Sequence, residues 1–214
     1  MKQKEFTVSL QTVISKLETM FTKFNAHFYG GELEPPVITV TPEHKRGVLG
    51  WCTNWKAWKD GSDKDGSDKD GGYYEINMCS EYLSRSFAEI VETMLHEMVH
   101  LFNLQKGIKD TSRGFTYHNN RFKESGEKHG LIVEKGKSGW NRTRLTDETL
   151  AWIISEYPNE NNFALYREKT SKAGGARAKS SSRKYTCPIC NTIIRATKEV
   201  NIMCCDCNVQ FKEE

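Results

Sequence analysis

The chain has 214 residues, with 31 Lys and Arg against 28 Asp and Glu and a formal net charge of +3. That balance excludes recruitment of a polyanion by total charge and leaves any such attraction to local clusters. Apolar residues make up 37% and aromatic residues 11%, enough for a core of ordinary size and too many for a disordered chain.

The opening Met1-Lys-Gln-Lys-Glu-Phe runs into a segment interrupted by Lys16, Glu18 and Lys23, without a signal-peptide core, and no stretch reaches membrane-spanning length. Five of the seven cysteines lie between positions 187 and 207, which reads as metal ligation in a reducing compartment. A cytoplasmic monomer with no membrane partner is expected.

From Leu10 to Phe28, the residues Val13, Ile14, Leu17, Met20, Phe21, Phe24 and Phe28 recur at helical steps, and Gly30 and Gly31 end the helix. Val37-Ile-Thr-Val40 reads as a strand, and residues 47–58 and 73–78 as two more. Between them the tandem repeat at 61–65 and 66–70 lacks the acidic spacing of a calcium loop and reads as a solvated hairpin tip. Residues 86–107 carry the most apolar helix, with Phe87, Ile90, Val91, Met94, Leu95, Met98, Leu101 and Phe102 on its buried side. Ser86-x-x-Glu89 forms its capping box and Gly107 its stop. Further helices are predicted over 118–129 and 146–157. Lys169–Thr186 then holds six basic residues and no acidic one, the composition of a flexible linker.

His96-Glu97-x-x-His100 lies in the middle of the apolar helix. Residues four apart share a helix face, so the two imidazoles can meet one zinc ion, and Glu97 can take and return a proton. Zinc lowers the pKa of a coordinated water to about 7. Buried histidines and a glutamate without a metal would be unfavourable there. A catalytic zinc usually has a third protein ligand. Lys106 occupies the position where the short metzincin extension would place one. His118 is the preferred third ligand, with His129, Glu124 and Glu127 as rivals; His27 and His44 lack partners at ligand spacing.

Beyond the linker, Cys187-Pro-Ile-Cys190 and Cys204-Cys-Asp-Cys207 form two knuckles spaced for a structural four-cysteine zinc site. Cys205 is left over, with Cys204 and Cys205 both open as ligands. Asn191 and Asn208 follow the knuckles, where left-handed backbone is wanted. Arg177, Lys179, Arg183 and Lys184 are the candidate contacts to nucleic-acid phosphates. Trp51, Trp55 and Trp58 read as packing residues before base-stacking ones.

Phe28-Tyr-Gly-Gly-Glu-Leu, Gly47-x-x-Gly50-Trp51, Ile76-Asn77-Met78, Leu95-His-Glu-Met-Val-His100 and His118-x-x-x-Phe122 follow one another in this order after the first helix. By this set the chain resembles the SprT-like metallopeptidases over most of its length. The resemblance implies an α+β, zincin-like domain over 1–165, a basic linker over 166–184 and a zinc ribbon over 185–214. It implies His96, His100 and His118 as ligands of a catalytic zinc and Glu97 as the acid/base. Cys187, Cys190, Cys204 and Cys207 would hold a structural zinc. The substrates implied are proteins, including those associated with or crosslinked to DNA. Asn119 stands where members often carry Gly, which bears on substrate access, and residues 60–72 look like a local insertion. The rival expectations are a nucleic-acid-binding adaptor, favoured by a fourth protein ligand on the first metal, and a metal-dependent nuclease.

Overall fold

Ser9 caps the first helix, α1 (Leu10–Tyr29), by accepting from the Thr12 N–H, and Gly30 closes it at φ 62°. Val13, Leu17, Met20, Phe21 and Phe24 are buried along one face, as the 3.6-residue period requires. Asn25 turns the chain after the helix: its amide donates to the Leu33 carbonyl at 3.0 Å and its oxygen accepts from the Leu33 N–H at 3.1 Å.

The first sheet contains β1 (Val37–Thr41), β2 (Gly50–Cys52) and β3 (Glu75–Cys79) in the order β1-β3-β2, with β1 parallel and β2 antiparallel to β3. Asn77 is buried in the central strand, and its side-chain oxygen accepts from Thr39 and Thr41 at 2.8 and 2.9 Å. The strand predicted over 47–58 is confined to three residues. The chain leaves the ladder after Thr53 donates to the Glu75 carbonyl, and meets it again only at the Trp58–Tyr73 bridge. Against this sheet lies α2 (Phe87–Gln105), opened by the Ser86/Glu89 capping box. Ile90, Val91, Met94, Leu95, Met98, Val99 and Leu101 are inaccessible to solvent and join α1 and the sheet in one core.

A second, four-stranded sheet follows, for which no strand is predicted above. It comprises β4 (Thr111–Ser112), β5 (Tyr117–His118), β6 (Leu131–Gly136) and β7 (Gly139–Leu145) in the order β4-β5-β7-β6. The helix predicted from His118 begins later, as α3 (Asn120–Lys128). His118 itself is extended, because it pairs with Thr111 and Gly139 and donates its backbone N–H to the Ser138 carbonyl. Asn119 caps α3 by accepting from the Arg121 N–H at 2.8 Å, and its amide donates to the Lys109 carbonyl. Phe122, Leu131 and Val133 seal α3 onto the sheet, and α4 (Asp147–Glu156) follows the Thr146 cap.

The structure, a computed structural model, describes residues 9–45, 47–61, 71–160, 163–168 and 182–213. The chain divides into two compact units, residues 1–169 and 170–214. The first unit extends past the boundary predicted at 165, because the Arg167 N–H donates to the Ser80 carbonyl at 3.0 Å. The second contains β8 (Arg183–Thr186), β9 (Ile193–Ala196), β10 (Met203–Cys204), β11 (Val209–Gln210) and β12 (Lys212–Glu213). Its sheets run β12-β8-β9 and β10-β11. Arg183 and Lys184, predicted in the linker, are strand residues, held by antiparallel pairing with Ala196 and Arg195. The tandem repeat from 62 to 70 lies outside the described residues.

Candidate metal centre

Three elements each deliver part of one constellation. The helical period of α2 puts His96 and His100 on a common face one turn apart, and β5 brings His118 opposite them. The Nε2 of His118 lies 3.3 Å from that of His96 and 3.0 Å from that of His100. Beneath them sits Phe122, inaccessible to solvent, its ring centroid 4.7, 4.7 and 4.6 Å from those of His96, His100 and His118.

The remaining ring nitrogens decide which atoms face inward. His100 Nδ1–H donates to Asp110 Oδ2 at 2.7 Å, and Asp110 is held by Asn103 Nδ2 at 3.1 Å. Asn103 in turn accepts from the Ser125 hydroxyl at 2.7 Å, so a buried chain of hydrogen bonds fixes the His100 ring. The Thr143 hydroxyl donates to Glu92 at 3.1 Å and faces His96 Nδ1 at 3.4 Å. With the Nδ1 atoms of His96 and His100 engaged by Thr143 and Asp110 and that of His118 buried without a partner, the three Nε2 atoms point at one another, an arrangement that repels when they are unprotonated unless a cation lies between them. A tetrahedral ion with nitrogen donors at about 2.05 Å sets those donors about 3.3 Å apart, so the residues fit such an ion.

Electrostatics keep two of the three donors, His96 and His118, unprotonated. Burial, with repulsion from His100 and His118, holds His96 well below its ordinary pKa. Burial and the charge of His100 bring His118 down to about 4. For His100, burial acts downward but is outweighed by the hydrogen bond and charge of Asp110 and by Glu97, which keep it above the usual value.

Glu97 points to the side of α2 that faces β2. Its carboxyl is buried, and burial pushes it up to about 7 against the lowering effects of His100 and the Cys52 backbone N–H. The close approach of helix and strand depends on Gly50, where a Cβ would meet the Asn77 carbonyl at 2.7 Å and Glu97 Cγ at 3.4 Å.

His118 is the histidine that joins the pair on α2. His129 is buried elsewhere, donating Nδ1–H to the Ser125 carbonyl at 2.7 Å and stacked on Tyr29. Glu127 is paired with Lys123, and Glu124 is exposed. His27 stacks on Trp152 and His44 meets the edge of Trp51. Asp110, Asn103 and Thr143 were not singled out from the sequence. The one signal the sequence carries is Asn103, a polar residue three after His100 in the apolar helix.

In the second unit, the Sγ atoms of Cys187, Cys190, Cys204 and Cys207 all lie within 4.8 Å of one another, and Cys190 and Cys204 are 3.7 Å apart. Thiolates at about 2.3 Å from a tetrahedral ion sit about 3.8 Å apart. Asn191 and Asn208 adopt φ of 57° and 51° behind the two knuckles. Cys204 belongs to the group; Cys205 is exposed and does not. Arg183 is bound to Glu213 at 2.7 Å and Lys184 lies in β8, whereas Arg177 and Lys179 fall outside the described residues.

The chain is thus a mixed α+β protein with two side-chain groups, one of three histidines and one of four cysteines, each able to hold a metal ion. Among the described residues no helix is long and apolar enough to cross a membrane. No protein-family model matches the chain, and no curated protein or solved structure matches it.

Proposed function

We propose that the chain is a zinc-dependent peptidase of the SprT-like kind, acting on protein substrates, with a second zinc holding its C-terminal ribbon. The observation that carries this reading is the convergence of three imidazole Nε2 atoms beside a buried carboxyl on the same helix. Imidazole triads and thiolate tetrads both suit zinc. Among the described residues no fourth His, Cys, Asp or Glu joins the triad, which favours an open position over a closed structural site.

A zinc ion would be held by His96, His100 and His118 and would supply Lewis acidity towards water and the scissile carbonyl. Asp110 orients His100 and keeps its Nε2 directed inward. Glu97, with its carboxyl near 7, accepts a proton from the attacking water and returns it to the departing amine nitrogen at neutral pH. Strand β2 has one strand neighbour among the described residues, and its free edge beside Glu97 suits an extended peptide. Phe122 excludes water from beneath the imidazoles.

Metal analysis combined with Glu97→Gln tests the reading. Two zinc ions per wild-type chain, one lost in His118→Ala and the other with Cys187→Ser/Cys190→Ser, are expected. Glu97→Gln should keep both ions and lose peptide cleavage. One zinc bound by the cysteines alone, or undiminished cleavage by Glu97→Gln, would overturn it.

A further inference from the structure

Beside His118 the surface opens into a cleft of about 530 Å³ lined by Tyr117, Asn119, Asn120, Arg121, Lys135 and Trp140. It therefore begins one residue to either side of a candidate metal ligand. No carboxylate lines it. Some of the chain's cations are held in ion pairs, as in Lys16–Glu160, Lys23–Glu156, Lys106–Glu32 and Arg144–Glu134. Among the described residues no ion pair neutralises Arg121 or Lys135. Among the described residues Arg121 makes one long side-chain contact, to the Lys109 carbonyl at 3.4 Å.

Trp140 organises the cations. Its indole N–H donates to Asn120 Oδ1 at 2.6 Å, which pins the ring. Lys123 and Lys135 place their ammonium groups 5.4 and 6.0 Å from the ring centroid. Lys123 is committed to Glu127; Lys135 and Arg121 are left as like charges around one concave space, with amide and phenol groups between them. An anion in the cleft would relieve that repulsion and face a guanidinium, an ammonium and the Tyr117 hydroxyl, all of which line it. Base stacking is the weaker match, because the indole that would serve as the platform already carries cations.

We propose that this cleft is an anion subsite of the candidate active site, taking a carboxylate or phosphate group that the substrate carries near the bond to be cut. The assignment rests on the peptidase reading for its place in catalysis. It makes acidic or phosphorylated segments the preferred substrates.

The test reads binding separately from cleavage. In full-length ¹⁵N-labelled protein, the Trp140 indole resonance, assigned with Trp140→Phe, is followed during titration with inorganic phosphate, an Asp/Glu-containing peptide and its Asn/Gln counterpart. A saturable shift with phosphate, with the acidic peptide or with both, and none with the neutral peptide, is expected; which probe acts distinguishes the two sources. Arg121→Gln/Lys135→Gln should weaken that response about tenfold, the effect of losing a charge-assisted contact, with the other indole resonances in place as the check on folding. In cleavage, the kcat/KM ratio of acidic over neutral peptide should fall by a similar factor in the double variant. A Trp140 shift without cleavage of either peptide would remove the peptidase reading and leave the anion site standing. No saturable shift, an undiminished one in the double variant, or a response to a short oligonucleotide alone would overturn the subsite.

Discussion

Asp110 accepts the Nδ1 proton of His100 at 2.7 Å from a buried position, so the orientation of one candidate ligand is set by a carboxylate ten residues further along the chain. Asn103 and Ser125 complete the support. Asp110→Asn keeps the shape and removes the charge. Zinc affinity at the histidine site should fall about ten- to a hundredfold, measured by competition with a chelating dye, with the ribbon zinc unaffected. Equal affinity in the two proteins would take Asp110 out of this role.

Gly50 lets β2 approach α2. A methyl group there would lie 2.7 Å from a backbone carbonyl that cannot move without disturbing β3. Gly50→Ala should lower stability by about 1–3 kcal/mol in urea denaturation and displace Glu97, which on the proposed peptidase reading also reduces activity. An unchanged unfolding midpoint would show that the strand has room to shift.

His129 gives the first unit a pH dependence of definite sign. Burial holds its pKa below the ordinary 6.5, outweighing the Ser125 hydrogen bond. Above that value the ring is neutral in both states and its contribution to stability is intact. As the pH falls below it, the unfolded chain binds a proton that the folded chain refuses, and stability declines until the folded pKa is passed. The urea midpoint of the wild type should therefore drop more between pH 7 and about pH 5 than that of His129→Gln. Parallel curves would exclude the effect.

The ribbon's apolar content is small, with Tyr185, Cys187 and Cys204 buried while Ile189, Ile193 and Met203 are exposed. A metal held by the four cysteines would supply what packing does not. Chelation of the cysteine-bound ion should expose residues 182–213 to limited proteolysis and collapse their NMR dispersion. A ribbon still resistant to protease after complete removal of metal would contradict this.

Much of the helical frame was legible locally. The apolar steps along α1 and α2, the Ser86/Glu89 box and the Thr146 start each act within one or two turns, and each stands in the structure where the pattern puts it. The same holds for the asparagines behind the knuckles, whose left-handed φ is a local requirement of the turn. Half of the second sheet was not legible. Its strands β4 and β5 have two residues each, too few for any alternation to register. β5 takes its form by pairing with distant β7, and β4 by pairing with β5.

That difference runs through the candidate site. The amino-acid sequence by itself determined that His96, Glu97 and His100 share one helix, because a spacing of four is a property of the helix alone. It also determined the paired cysteine knuckles, whose ligand spacing is carried by short turns. Only the tertiary structure brought His118, the preferred candidate, to His96 and His100, placed it on a strand, and set Asp110 behind His100. Those choices depend on how β4, β5 and β7 pair across some thirty residues of chain, a free-energy balance of packing and hydrogen bonding that no local pattern encodes.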